Sequence, residues 1–264
     1  LKPAQDGTVC VGRTMEFPDV IPWELAVVGT GEHRSGVGDR RWTSVHGIVG
    51  MSGFGEPTWL ADGLNTAGLT GHLLYMPDHC TYADPVGDGT DIGILEVLAF
   101  VLGTCATVDE AKAAVATCNI VDQRPAQVPF SLPMHIVLHD GETCAVVELH
   151  PEGMRIVDNP VQVVTNAPYL EWHLTNVSNY LNLSPSNPQP VEIGGTTFVP
   201  TGQGEGFRGL PADESSPSRF LRVLANVTFA TPSADRQAAL LDTIRILHGF
   251  DLVPGTVMES TPAG

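Results

Sequence analysis

Basic residues are scarce in this sequence, in which 13 Lys and Arg stand against 30 Asp and Glu and give a formal net charge of −17. Only two of the basic residues, Lys2 and Lys112, are lysines. Proteins that bind nucleic acid or anionic membranes need clustered Lys and Arg to neutralise phosphate groups. The composition therefore argues against both kinds of partner, while the acidic excess indicates solubility and no particular substrate.

Long apolar runs are also missing. A membrane-spanning helix needs about 20 mostly apolar residues, and the most apolar stretch, residues 92–102, is bounded by Asp91 and Gly103. We predict that this stretch is a buried helix and that no segment spans a membrane. No secretory leader is visible in the sequence as it stands, and the localisation stays open between periplasm and cytoplasm.

Several motifs of metal, nucleotide and serine-hydrolase sites are absent. His135 and His139 fall on a predicted strand, and the sequence contains no HExxH. The glycine-rich residues 202–206 lack the Lys and Ser/Thr of a phosphate-binding loop, and there is no GxSxG. We therefore predict no metal and no other cofactor.

The cysteines are five in number and show no CxxC spacing. A free cysteine behaves as a small apolar residue, so we expect buried reduced thiols. The five are Cys10, Cys80, Cys105, Cys118 and Cys144.

Turn and capping signals predict mixed helices and antiparallel strands. Thr107 and Glu110 have the spacing of a capping box that opens a helix to about residue 116. Strands separated by tight turns must be antiparallel. We predict such strands over residues 134–139, 143–149, 154–157 and 161–165, which indicates an α+β fold.

The N-terminal residues predict a strand that delivers side chains to a pocket. Asp6-Gly7 is a hairpin signal, and residues 8–15 read as a strand. Pro18 should end it, so Arg13 and Glu16 could turn into one pocket. Two further polar side chains, Asn166 and Arg219, stand beside sharp turns, where loops often carry function.

Five motifs, in order, resemble the choloylglycine hydrolase family, which contains bile salt hydrolases and penicillin V acylases. They occupy residues 12–16 (GRTME), 62–69 (DGLNxxGL), 165–173 (TNAPxxxWH), 202–211 (GQGxGxxGLP) and 218–222 (SRFxR). The resemblance covers essentially the whole chain. It implies one domain over residues 1–264 with the αββα four-layer sandwich of N-terminal nucleophile hydrolases, built on antiparallel sheets. It also implies a helix over residues 235–248.

The same resemblance implies a mature N-terminal cysteine that is both nucleophile and, through its amine, base. Spacing to the 12–16 motif places it about four residues before Leu1, so we expect a chain that lacks this segment and further strands after Gly264. Cys10 does not qualify, because it has no free amine and lies inside the predicted strand.

Catalytic roles follow from the resemblance, position by position. Arg13 would favour the thiolate, and Glu16, where many members have Asp, would hold the α-amine. The side chain of Asn166 and the backbone N–H of Tyr75 would both donate hydrogen bonds to the oxyanion, and Arg219 would complete the charge network. Simpler roles stay open: an Asx turn for Asn166, a helix-surface cation for Arg219 and a core-capping aromatic for Tyr75.

Substrate and assembly are the last expectations. Tyr75 stands where penicillin V acylases generally have Tyr and bile salt hydrolases Asn, which favours a small-molecule acyl amide such as penicillin V or an acyl homoserine lactone. Alternatives are a bile salt hydrolase and a catalytically silent acyl-amide-binding homologue. Residues 182–195 match the family's assembly loop and imply a homotetramer. Candidate acyl-pocket residues are Met15, Phe17, Trp23 and Phe54.

Overall fold

The computed structural model describes residues 1–16, 21–128 and 130–257. The chain divides into two units. The sheet unit contains residues 16–170, and the helical unit contains residues 1–15 together with the chain from residue 171 onward.

The sheet unit contains two helices and eleven strands among its described residues. In chain order these are β1 (Glu24–Val28), β2 (Gly31–Arg34), β3 (Arg41–Ser44), β4 (Ile48–Ser52), β5 (Leu60–Asn65), β6 (Thr70–Tyr75), β7 (Asp91–Gly93), α1 (Val97–Thr104), α2 (Val108–Val115), β8 (Asn119–Val121), β9 (Met134–His139), β10 (Cys144–His150) and β11 (Gly153–Asp158). Seven of the strands form one sheet in the order β1-β4-β5-β6-β9-β10-β11, and all its neighbouring strands are antiparallel.

The three predicted strands that became β9, β10 and β11 are confirmed, but the fourth, residues 161–165, is wrong. No strand covers these described residues. The side chain of Asn159 donates to Val163 O at 2.9 Å and accepts from Val161 N at 3.1 Å. A local side chain thus occupies backbone groups that a strand ladder would have needed.

Helix α1 is buried on nearly all sides and packs against β3, β5 and β6. Small residues in the sheet let it approach: a Cβ at Gly63 would lie 2.9 Å from Leu102 Cδ1, and one at Gly71 would lie 2.8 Å from Leu98 Cδ2. The predicted apolar helix over residues 92–102 is therefore confirmed in its burial, although its first residues form β7.

Helix α2 confirms the capping prediction. Thr107 Oγ1 accepts from Glu110 N at 3.2 Å, and Glu110 Oε2 accepts from the backbone N–H of Ala106 at 2.7 Å. Two N–H groups at the helix start are satisfied in this way.

The helical unit contains most of α3 (Leu170–Val177), a hairpin of β12 (Val191–Ile193) and β13 (Thr196–Phe198), α4 (Ser216–Phe229) and α5 (Arg236–Leu247). The side chain of Asp235 caps α5 by accepting from Ala238 N at 2.9 Å, as the predicted helix over 235–248 requires. The glycine-rich loop packs against residues 184–187, since a Cβ at Gly206 would lie 2.2 Å from the carbonyl oxygens of Ser184 and Ser186.

The predicted N-terminal strand is wrong. The turn at Asp6-Gly7 is present, with Thr8 N donating to Asp6 Oδ1 at 2.9 Å, but residues 8–15, all described, carry no strand. They run against α5, because a Cβ at Gly12 would lie 2.4 Å from Thr243 Cγ2. Extended propensity alone makes no strand where no neighbouring strand pairs with it.

Candidate active site

Asn166 and Tyr75 are brought together in the sheet unit although they lie 91 residues apart in sequence. Tyr75 ends β6 opposite Met134 of β9. The side-chain Nδ2–H of Asn166 donates to the carbonyl oxygen of Tyr75 at 2.6 Å, and both residues are half-buried. These are the two positions for which the sequence predicts donors to a developing oxyanion.

A tyrosine that the sequence analysis missed holds this end of the sheet. The Tyr82 hydroxyl donates to Leu132 O at 2.5 Å and accepts from Met134 N at 3.1 Å. Burial raises the pKa of Tyr82, so the hydroxyl keeps its proton at neutral pH. Because Met134 pairs with Tyr75, this contact fixes the strand end on which Tyr75 lies.

A buried polar pair in β10, also missed, lies beside the residues that follow Asn166. Glu148 is 1% exposed, and its Oε1 accepts from the backbone N–H of Leu170 at 2.7 Å. His150 Nε2 lies 3.1 Å from Glu148 Oε2, and the His150 ring stacks on Tyr169 with centroids 3.7 Å apart. Polar residues two apart in an otherwise apolar strand were the available sequence signal.

The remaining predicted catalytic residues are divided between the two units. Arg13 is half-buried, and its Nε–H donates to Thr14 O at 3.1 Å. Arg219 lies in the first turns of α4, as predicted, and its Nε–H donates to Glu214 O at 3.1 Å. Both arginines belong to the helical unit, whereas Glu16 is an exposed residue of the sheet unit.

Two of the predicted acyl-pocket residues, Trp23 and Phe54, belong to the sheet unit, where Trp23 lies against the residue before Phe54. A Cβ at Gly53 would lie 3.3 Å from the Trp23 ring, and Phe54 follows directly. Phe54 has a left-handed φ of 64° and packs edge-on against Trp59 at 6.2 Å, a backbone conformation that is uncommon for a bulky residue. Met15 is half-buried in the helical unit, and Phe17 lies outside the described residues.

All five cysteines, each of them described, are free; Cys105 and Cys144 are buried as predicted, whereas the prediction of burial is wrong for Cys10, Cys80 and Cys118, which are half-buried. Burial raises the pKa of four thiols: those of Cys80 and Cys105, that of Cys118 to about 11 and that of Cys144 to about 12. A thiol of raised pKa is a poor nucleophile at neutral pH because the thiolate is the reactive form. These four positions therefore fit structural roles.

Metal ligands and membrane spans were sought in the same part of the chain. Within residues 1–16, 21–128 and 130–257, no three His, Cys, Asp or Glu side chains are grouped so that they could hold a metal ion. Across those ranges, no helix has the length and apolar character needed to cross a membrane.

A family model of linear amide C–N hydrolases, choloylglycine hydrolase family, matches residues 2–262. The chain belongs to this family. The bile salt hydrolase/transferase of Clostridium perfringens is 31% identical over 219 residues, which are 81% of this chain and 66% of that protein. The conjugated bile acid hydrolase of Lactobacillus acidophilus is 29% identical over 75% of this chain and 62% of its own length. The match thus spans slightly less than two thirds of these relatives.

Solved structures agree with the family assignment. A variant of the conjugated bile acid hydrolase from C. perfringens superposes with a TM-score of 0.77 at 28% identity, covering 89% of this chain and 73% of that one. The penicillin V acylase of Agrobacterium tumefaciens has a TM-score of 0.74 at 22% identity, over 93% and 69% of the two chains, and so shows the fold alone. Together with the helices and antiparallel sheets, these similarities confirm the predicted α+β fold of the N-terminal nucleophile hydrolases.

Proposed function

We propose that this choloylglycine hydrolase family member cleaves a linear amide bond of a small acyl amide with an N-terminal cysteine nucleophile, and that Asn166 and Tyr75 stabilise the oxyanion. The observation that carries the proposal is the 2.6 Å hydrogen bond from Asn166 Nδ2 to Tyr75 O. This bond places a neutral N–H donor beside the backbone of a strand end, where an oxyanion site requires donors.

The chemistry assigns each proton a place. The cysteine sulfur attacks the amide carbonyl carbon while its thiol proton passes to its own α-amine, which titrates near neutrality. The carbonyl oxygen becomes an oxyanion that accepts from Asn166 Nδ2–H and from the Tyr75 backbone N–H. Collapse of this intermediate expels the amine, which takes the proton from the α-ammonium, and water then hydrolyses the thioester.

Asn166 suits the role of donor because a carboxamide has no charge to be lost by titration. Its nitrogen carries two N–H bonds, so the bond to Tyr75 O orients the group and the proposed contact with the oxyanion uses the second. An amide is neither a base nor a nucleophile. The site formed by Asn166 and Tyr75 therefore stabilises charge, and the attack must come from elsewhere in the protein.

The charged residues complete the proposal. Arg13 would lie beside the cysteine sulfur and lower its pKa, Glu16 would hold the α-amine, and Arg219 would balance the charge of the site. Many family members have an aspartate at the position of Glu16. Because the side chain of glutamate is longer, the Glu16 carboxylate would contact the amine from a different position than an aspartate would.

The substrate preference is the most direct test of the reaction. Because Tyr75 fills space and offers fewer hydrogen bonds than an asparagine, we expect kcat/KM for penicillin V or a long-chain acyl homoserine lactone to exceed that for glycocholate. A poorly fitting group costs only about 1–3 kcal/mol, so the preference should be graded. Steady-state kinetics on the full-length protein measures all three substrates under identical conditions. A tenfold lead of glycocholate would overturn this interpretation of Tyr75.

Bile salt hydrolysis is the second candidate, and the observation that favours it is the similarity to relatives that bear this name. A catalytically silent acyl-amide-binding protein is the third. The codons before Leu1 discriminate it from an enzyme, since a Cys there supports hydrolysis and any other residue at that place supports a binding protein.

Assembly into a homotetramer is proposed from an exposed segment of the helical unit. Residues 182–190 lead into the hairpin of β12 and β13, whose six strand residues are all exposed, among them Val191, Ile193 and Phe198. We expect multi-angle light scattering on the full-length protein to give four times the chain mass. A monomer at micromolar concentration would contradict the assignment.

A further inference from the structure

Glu148, His150 and Tyr169 form a contact set that the proposed reaction does not use, in which Glu148 and His150 are buried and Tyr169 is half-buried. Glu148 is 1% and His150 is 7% exposed, and Glu148 is flanked by the buried apolar residues Val147 and Leu149. A buried carboxylate is costly unless hydrogen bonds satisfy it. The burial of Glu148 therefore needs a physical explanation.

The pair faces away from the helix-covered core. Ala145, Val147 and Leu149 of β10 belong to the core cluster that includes α1. Successive side chains of a strand point to opposite faces, so Glu148 and His150 project from the other face. The carboxylate there accepts the backbone N–H of Leu170.

The segment from Asn166 to Leu170 is tied to the sheet at both ends. Asn166 Nδ2 donates to Tyr75 O at the end of β6, and Leu170 N donates to Glu148 Oε1 in β10. Strand β9 lies between β6 and β10, so two strand spacings, about 10 Å, separate the two anchors. Five residues thus bridge the width of β9.

Tyr169, the residue before Leu170, contacts two histidine rings. Its ring stacks on His150 at 3.7 Å with an interplanar angle of 18° and meets His79 edge-on at 5.2 Å. His79 follows Tyr75 by four residues, and its Nδ1–H donates to Pro77 O at 3.0 Å. The ring of Tyr169 is therefore held between the chain that continues from Tyr75 and the strand that carries Glu148.

Glu148 accepts both hydrogen bonds that connect the contact set. A carboxylate only accepts hydrogen bonds, so Oε1 takes the Leu170 N–H and Oε2 takes an N–H from His150 Nε2. The second bond orients the imidazole face that stacks on Tyr169. Loss of the carboxylate would leave both donors unsatisfied and release the ring at the same time.

We infer that Glu148 and His150 are positioning residues that act through Tyr169 and Leu170 to hold the Asn166 carboxamide at the oxyanion position. The inference deepens the proposed function and rests on it. A donor must lie within about 0.5 Å of its productive place, and a misplacement of 1 Å can cost about 100-fold in rate. The anchor at Leu170, four residues beyond Asn166, supplies that precision.

A double-mutant cycle in the full-length enzyme tests the inference. Glu148→Met is expected to lower kcat about 10- to 100-fold with KM within twofold, because it removes both acceptors and displaces Asn166. In an Asn166→Ala background the same change should lower kcat by less than twofold, since the group that it positions is already gone. Equal losses of kcat in the two backgrounds would overturn the inference.

Glu96→Met is the matched control. Glu96 is also a buried carboxylate, 3% exposed, and it accepts from Ser35 Oγ at 2.9 Å and Gly36 N at 2.6 Å. Its loss should destabilise the protein comparably but change kcat per folded molecule by the same small factor in both backgrounds.

Should Glu148→Met fold poorly, Tyr169→Leu replaces it. We expect kcat to fall in Tyr169→Leu and to be retained in Tyr169→Phe, which keeps the ring. Equal kcat for the Leu and Phe variants would contradict the role of the stack.

Amide hydrogen exchange separates this inference from the proposed function. In Glu148→Met, exchange at Leu170 should accelerate at least tenfold, while Glu96→Met leaves it unchanged. Unchanged exchange at Leu170 in Glu148→Met overturns the anchor whether or not the protein is an active hydrolase. If wild-type protein hydrolyses none of the amides, or Asn166→Ala has no effect on kcat, the proposed function fails and the catalytic part of the inference fails with it.

Discussion

Replacing Asn166 with alanine is expected to lower kcat roughly 100- to 1000-fold in a protein that still folds, as the loss of one oxyanion donor does. The contact with Tyr75 O is made by the side chain, so the same change costs about 1 kcal/mol of stability for the lost hydrogen bond. The increase in the activation free energy is larger than this loss of stability, because the oxyanion develops only in the transition state. Steady-state kinetics on the best substrate of the panel, together with thermal unfolding, measures both effects.

Asn119→Ala provides the matched control. Asn119 is half-buried in the same unit, and its Nδ2–H donates to the Asp84 carbonyl oxygen at 2.9 Å, much as Asn166 donates to Tyr75. Its loss should cost stability and leave kcat within twofold. A properly folded Asn166→Ala variant with wild-type turnover, within a factor of two, would show that the oxyanion assignment is wrong.

Replacing Asn65 with alanine is expected to lower the free energy of unfolding by roughly 3–5 kcal/mol, the largest stability effect that we predict. Asn65 is 4% exposed. Its Nδ2 donates to Leu102 O at 2.8 Å and to Cys105 O at 2.7 Å, at the end of α1. Its Oδ1 accepts from Ala67 N and Leu69 N, each at 3.0 Å. All four hydrogen-bonding positions of the amide are used, and alanine would leave four backbone groups without these partners.

Urea unfolding of Asn65→Ala measures this loss, and Asn226→Ala is the comparison. Asn226 is exposed in α4 and donates to Arg222 O, so its replacement should stay within about 0.5 kcal/mol. Catalytic turnover per folded molecule of Asn65→Ala should match wild type. A stability loss below about 1 kcal/mol would mean that water replaces the amide at this site.

The role of Asn65 also explains a motif that the sequence analysis used only as a family signature. Residues 62–69 contain the end of β5, the turn and the approach to β6, and Gly68 has a φ of +96° that favours glycine. The motif thus joins a tight turn to the end of α1 through one side chain. Its physical meaning is structural, although its spacing first pointed to a hydrolase family.

Elements with local signals were predicted well. Helix α2 begins where Thr107 and Glu110 cap it, and α5 begins where Asp235 caps it. Tight turns between β9, β10 and β11 forced antiparallel neighbours, as observed. In each case the interactions that define the element lie within a few residues, so the sequence contains them.

Elements that depend on distant partners were predicted poorly. Residues 8–15 have the alternation of a strand, but Gly12 lies against Thr243 of α5. Residues 161–165 are apolar enough for a strand, but they pair with no other strand in the described part of the chain, and the nearby side chain of Asn159 binds their backbone instead. Strand propensity describes a local preference, while a ladder needs a partner that local sequence does not name.

The sequence by itself determined the family, the α+β class and the types of residue that the reaction needs, because these depend on motif order, local capping and the chemistry of single side chains. Only the tertiary structure decided that Asn166 contacts Tyr75 and that Glu148 anchors Leu170. Those contacts join residues 91 and 22 positions apart. They exist because strand order brings β6, β9 and β10 side by side, and strand order is set by packing of the whole sheet rather than by any segment of it.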